Sequence, residues 1–139
     1  MTEIDIYSGK FYLNGQCFKT QIDSESTDSQ TVGKNSYSNT SLNGVISNIP
    51  FKATGYYKNK KLKSISLTIE SEYLKANYHP PKDIDSREYL TPYVDFWENL
   101  TEGLMNELLN TVKRKFAWGK VQVQVDPRGP TVYGEVKYR

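Results

Sequence analysis

Cys17 and His79 are the only cysteine and histidine among 139 residues, so any chemistry that needs a thiolate or an imidazole must pass through these two positions. A disulfide within the chain is excluded. A structural zinc needs about four soft ligands and a three-histidine catalytic zinc about three, so neither can be assembled and no metal site is expected. Cys17 lies next to Phe18 in a strand-like stretch, where a cysteine usually behaves as a small buried hydrophobe; nucleophilic use needs a cation or helix N-terminus to lower its pKa. His79 precedes Pro80 and reads as a solvated loop side chain. Glu98 directly follows Phe96 and Trp97. Its carboxylate offers two acceptors beside an aromatic surface on which a planar ring could stack, but a Glu three residues after Asp95 also completes a capping-box pattern at a helix start. Both readings of Glu98 stand on the residues alone.

Composition removes other classes. The chain carries 18 basic and 16 acidic residues, a net charge of +2, with no stripe dense enough to neutralise several phosphates at once. Nucleic acid is not an expected partner. The two basic clusters read as a solvated hairpin turn at Lys58-Asn59-Lys60-Lys61 and as a helix end at Lys113-Arg114-Lys115, where cations complement the macrodipole. No apolar run approaches the ~18 residues of a membrane span, and Met1-Thr2-Glu3-Ile4-Asp5 opens polar and acidic. The expectation is a single domain over 1–139, cytoplasmic, with no membrane partner.

Hydrophobic periodicity supplies the elements that must position these groups. Phe11-Tyr12-Leu13 and Gln16-Cys17-Phe18 flank Asn14-Gly15, a strong hairpin signal. Twelve of the twenty residues in 24–43 are Ser, Thr or Asn, which predicts a long polar loop or locally disordered segment. Phe51 to Tyr57, then Leu62 to Glu70 with Ile65, Leu67 and Ile69 on one side, predict a second hairpin. Phe96, Leu100, Leu104, Leu108, Val112 and Phe116 recur every fourth residue, predicting an amphipathic helix of about six turns capped by Asp95. Val121-Gln122-Val123-Gln124-Val125 and Val132 to Tyr138 close the chain as a hairpin. The fold class is α+β, antiparallel strands with one long amphipathic helix.

Asp95-Phe96-Trp97-Glu98-Asn99, the helix, and Lys120-Val121-Gln122-Val123-Gln124-Val125-Asp126-Pro127-Arg128-Gly129 resemble the C-terminal part of the tunnelling-fold superfamily, most closely the nitrile reductases of queuosine biosynthesis, over residues 95–139. That resemblance implies a β-β-α-α-β-β unit in a homo-oligomeric ring or barrel, binding a purine-like or 7-deazapurine-like heterocycle at a subunit interface. It implies that Glu98 holds the ring's N–H edge beside Trp97 and Phe96. It further implies NADPH-dependent reduction through a thioimide on Cys17, with Asp23 moving the proton and Ser86, Arg87 and Arg128 binding the cofactor. Departures are visible: the family's histidine is Trp97 here, its second turn glycine is Pro130, and Phe18 replaces the proline after the cysteine. Tryptophan cannot relay a proton at neutral pH. The alternative expectation is a non-enzymatic interaction or assembly protein, of the kind a mobile element carries, on the same scaffold.

Overall fold

Asn14 (φ 51°) and Gly15 (φ 85°) both take the left-handed conformation, as a two-residue type I′ turn demands. They join β2 (Phe11–Leu13) to β3 (Gln16–Cys17), and β1 (Glu3–Ile4) pairs with the other side of β2 to complete a small three-stranded sheet. The computed structural model describes residues 2–22, 30–79, 90–126 and 131–139.

The remaining strands form one antiparallel sheet. They are β4 (Gln30–Val32), β5 (Asn35–Ile46), β6 (Ile49–Lys58), β7 (Lys61–Ile69), β8 (Lys115–Phe116), β9 (Gly119–Asp126) and β10 (Thr131–Tyr138), in the spatial order β4-β5-β6-β7-β10-β9-β8. Two further left-handed pairs, Ser47-Asn48 and Asn59-Lys60, make the turns between β5, β6 and β7. Between β7 and β9 lie α1 (Ser71–Asn77) and α2 (Leu90–Leu109). The α+β class therefore holds, with antiparallel sheets and one long helix.

Alternation decides which sheet face is covered. Phe51, Ala53, Ile65, Leu67, Val132 and Val136 are fully buried, while Lys52, Ser66, Tyr133 and Glu135, which alternate with them, are polar and remain at least partly exposed. Helix α2 covers the β9–β10 part of the apolar face through Leu104, Met105, Leu108 and Leu109. The small sheet covers the β5–β6 part, where Leu13 lies against Gly44 and Phe18 against Gly55. The opposite face has no covering layer among the described residues.

Two expectations need correction. Residues 35–43 are not a polar loop: they belong to the twelve-residue β5, which pairs with β6 from Tyr37 to Ile46, while 24–29 lie outside the described residues. The polar sequence tolerates a strand because its outward side is open and its inward side meets only the small sheet; Ser41 and Thr54 join hydroxyls across the pair at 2.9 Å. The helix is also displaced from its expected span. It is already formed at Leu90, with Pro92 in the opening stretch where a missing N–H is tolerated, and Asn110 (φ 54°) ends it in a left-handed residue. Val112 is consequently 78% exposed, and Phe116 is buried from β8 instead.

Gly9 locks the small sheet to the large one. It has φ +78°, and a Cβ there would lie 2.5 Å from the Trp118 ring. That ring cannot retreat, because it stacks on Phe116 (centroids 5.0 Å apart) and its indole N–H donates to the Ile6 carbonyl at 2.9 Å. Gly9→Ala is expected to cost about 2–4 kcal/mol, from the left-handed backbone and the overlap together, read as a lowered urea midpoint with an unchanged slope.

Candidate functional site

The new position of the helix start removes one reading of Glu98. With α2 formed from Leu90, neither Asp95 nor Glu98 lies at an N-terminus, so the capping pattern is not used. Glu98 sits one turn before Glu102, whose carboxylate is held by Arg114 at 2.7 Å. Glu98 itself is half-buried, and its carboxylate has no hydrogen bond or ion pair among the described residues.

An aromatic cluster surrounds the preceding residues. Tyr78, which follows α1, meets Tyr93 edge to face at 5.1 Å and Phe96 at 5.4 Å, and Tyr93 meets Trp97 at 6.0 Å. The backbone of this turn is fixed by Thr101, 1% exposed, whose hydroxyl donates to the Trp97 carbonyl at 2.8 Å. The Trp97 indole Nε1 is buried and has no acceptor among the described residues. Such a donor normally finds a partner when it leaves water, since leaving it unmade costs ~1–3 kcal/mol. Two consecutive residues thus carry an uncommitted donor, set among aromatic rings, and an uncommitted carboxylate.

Cys17 occupies a different place. It is exposed on β3 rather than buried, with Sγ 3.4 Å from the Phe18 carbonyl. The strand that carries it is short and at the rim of the small sheet, so alternation does not turn it inward. Beside it is a cleft of about 400 Å³ lined by Cys17, Phe18, Lys19, Thr40, Leu42 and Tyr57 among others, with no residue of α2. The Tyr57 hydroxyl donates to the Lys19 carbonyl at 2.7 Å; burial, then the charge of a Cys17 thiolate, pushes its pKa up. Glu98 is not among the residues that line this cleft. Asp23, Ser86, Arg87 and Arg128 lie outside the described residues. His79 is exposed, and among the described residues no group of three His, Cys, Asp or Glu side chains is placed to hold a metal.

Tyr138 ties β10 to Gly9, its hydroxyl donating to the Gly9 carbonyl at 2.7 Å. Burial first, then the charges of Cys17 and Tyr57, raises its pKa above the usual phenol value. Below about pH 10 both the folded and unfolded chains hold this proton, and the contribution to stability is complete; above it the unfolded chain loses the proton first, so stability falls as pH rises. Tyr138→Phe is expected to cost about 1 kcal/mol at neutral pH by removing the hydrogen bond. The gap between wild type and variant should narrow above about pH 10 in urea titrations.

Sequence reading missed the arrangement at the other end of the sheet. Lys113-Arg114-Lys115 does not close a helix. Lys113 lies over the Phe116 ring at 5.4 Å, Arg114 turns back to Glu102 and to Asn106 at 2.6 Å, and Lys115 enters β8. The signal available was Phe116-Ala117-Trp118-Gly119, a hairpin turn whose flanks alternate with period two. Among the described residues, no helix is long and apolar enough to cross a membrane. No protein-family model, curated protein or solved structure matches this chain.

Proposed function

We propose that this chain binds a flat nitrogen heterocycle of the purine or 7-deazapurine class at Glu98. The observation that carries the reading is that two consecutive residues of α2, Trp97 with a buried indole N–H beside Tyr93 and Glu98 with its carboxylate, both lack a hydrogen-bond partner among the described residues. A guanine-type edge offers neighbouring N–H donors for a carboxylate, a charge-assisted pair, and a carbonyl for an indole donor. Apart from the two-residue β8, the run β6-β7-α1-α2-β8-β9-β10 follows the β-β-α-α-β-β order that the resemblance to tunnelling-fold enzymes implies.

The reading extends to a homo-oligomer with sites at subunit interfaces, as the resemblance implies, where Cys17 of one copy would meet Glu98 of another. It extends further to nitrile reduction, in which the Cys17 thiolate adds to the nitrile carbon and the nitrogen takes up the proton carried by Asp23. Reduction of a nitrile to an amine takes two hydrides and two protons, so two equivalents of NADPH would supply the hydrides, the first stage ending with release of the Cys17 thiolate as the imine forms and the second giving the amine. Titration with 7-cyano-7-deazaguanine tests these layers separately: quenching of tryptophan fluorescence reports binding, a thioimide absorbance band reports Cys17, and native mass spectrometry reports subunit number. Absence of saturable quenching removes the reading.

A second reading, a non-enzymatic interaction or assembly protein of the kind mobile elements carry, is favoured by the open polar face of the seven-stranded sheet. Assembly on light scattering with no heterocycle bound is its expected signature.

A further inference from the structure

We propose that the outer end of the large sheet, where β8, β9 and β10 meet, binds a small phosphorylated molecule through Lys115, Lys120, Lys137 and Arg139. Lys115 pairs with Lys120, and Lys120 with Lys137, so three lysines lie side by side on one face of three successive strands. Directly opposed side chains have Cβ atoms ~4.5–5.5 Å apart, and like charges at that separation destabilise a sheet. Arg139 joins them, its backbone N–H anchored to the Trp118 carbonyl at 2.9 Å. The four cations line a cleft of about 430 Å³ whose lining includes no acidic residue.

The neighbouring charges make this arrangement unusual. Lys113 and Arg114 are each partnered, by an aromatic ring and by a carboxylate. Glu135, in the next row of the same face, accepts a hydrogen bond from Gln122 at 3.0 Å. The side chains of Lys115, Lys120, Lys137 and Arg139 have no hydrogen bond or ion pair among the described residues. Protection of a bare sheet edge explains a lysine in β8, the terminal strand, but not in β9 and β10, which are paired on both sides.

The cleft's chemistry selects the ligand. Lysine ammonium groups act as compact point-charge donors to phosphate oxygens and an arginine guanidinium as a planar fork, and three of the first with one of the second suit a pyrophosphate or a molecule bearing two phosphates. The volume falls within the range of ~300–1,000 Å³ for small-molecule sites, which favours a ligand of mononucleotide size over a polymer. This inference is independent of the Glu98 site.

Titration of isotope-labelled protein with inorganic pyrophosphate, followed by amide chemical shifts, tests it. The account expects saturable shifts at Gly119, Lys120, Lys137 and Tyr138, with a Kd on the order of 0.1–1 mM. Lys120→Gln should weaken binding about tenfold or more, while relief of the like-charge row raises the ligand-free Tm by roughly 1–4 °C. Lys137→Gln should do the same, and Lys52→Gln, on the same face but in β6, should leave pyrophosphate binding unchanged. Non-saturating shifts, or binding that survives Lys120→Gln and Lys137→Gln, would overturn the proposal. So would tight binding of a single-stranded oligonucleotide with shifts spread over all seven strands and none saturable by pyrophosphate.

Discussion

Phe51→Ala is expected to lower stability by about 3–5 kcal/mol, a large part of what a domain of this size possesses. Phe51 is completely buried in β6, pairs with Gly44 and Ile69, and its ring lies over Gly44, where a Cβ would come within 2.8 Å of it. Removing the ring opens a cavity between the large sheet and the small one, beside Leu13, and neither layer can close it without breaking β-ladder hydrogen bonds. Urea denaturation should show a reduced midpoint. Val112→Ala supplies the contrast: it should change stability by less than ~0.5 kcal/mol, because the helix has ended before it and the side chain is in solvent. A large loss at Val112 would mean that the helix continues toward Phe116.

Glu98→Gln is the second substitution with a large expected effect, on binding rather than folding. Exchanging the carboxylate for an amide keeps the shape but removes the charge and replaces one acceptor with a donor. A hydrogen bond to a charged group is worth ~1.5–3 kcal/mol, so affinity for a guanine-type heterocycle should fall roughly 10- to 150-fold. Stability should stay within ~0.5 kcal/mol, since the carboxylate caps nothing and pairs with nothing among the described residues. A cap would respond in the opposite way, losing ~0.5–2 kcal/mol of stability with binding unaffected. Isothermal titration and urea denaturation on one preparation separate the two.

The elements that were legible in advance share a physical property. Asn14-Gly15, the alternation in β7 and the alternation in β9 are local signals, strong because each strand has one buried and one open side or a turn that admits few residue types. What escaped reading depended on partners distant in sequence. Strand β5 carries Ser, Thr and Asn on both sides, and its stability comes from pairing with β6 and from Leu13 closing over Gly44. Val112 and Phe116 continued the four-residue spacing of α2 by coincidence, because the spacing of apolar residues cannot reveal that Asn110 turns left-handed. The adjacency of Phe96, Trp97 and Glu98 was visible, but the contribution of Tyr78 to their surroundings required the chain to return from α1 to α2. The lysine row was hidden for the same reason: Lys115, Lys120 and Lys137 are dispersed in sequence, and only the register of β8, β9 and β10 aligns them.

The two indole N–H signals offer the most direct test of the Glu98 site. The chain has two tryptophans. The Trp118 indole already donates to the Ile6 carbonyl, whereas that of Trp97 is buried with no acceptor among the described residues. Addition of guanine or 7-cyano-7-deazaguanine should move the Trp97 signal, assigned by its loss in Trp97→Phe, in a saturable manner that Glu98→Gln suppresses, and leave the Trp118 signal in place. A Trp97 signal that stays fixed at saturating heterocycle, or moves equally in Glu98→Gln, would contradict the account.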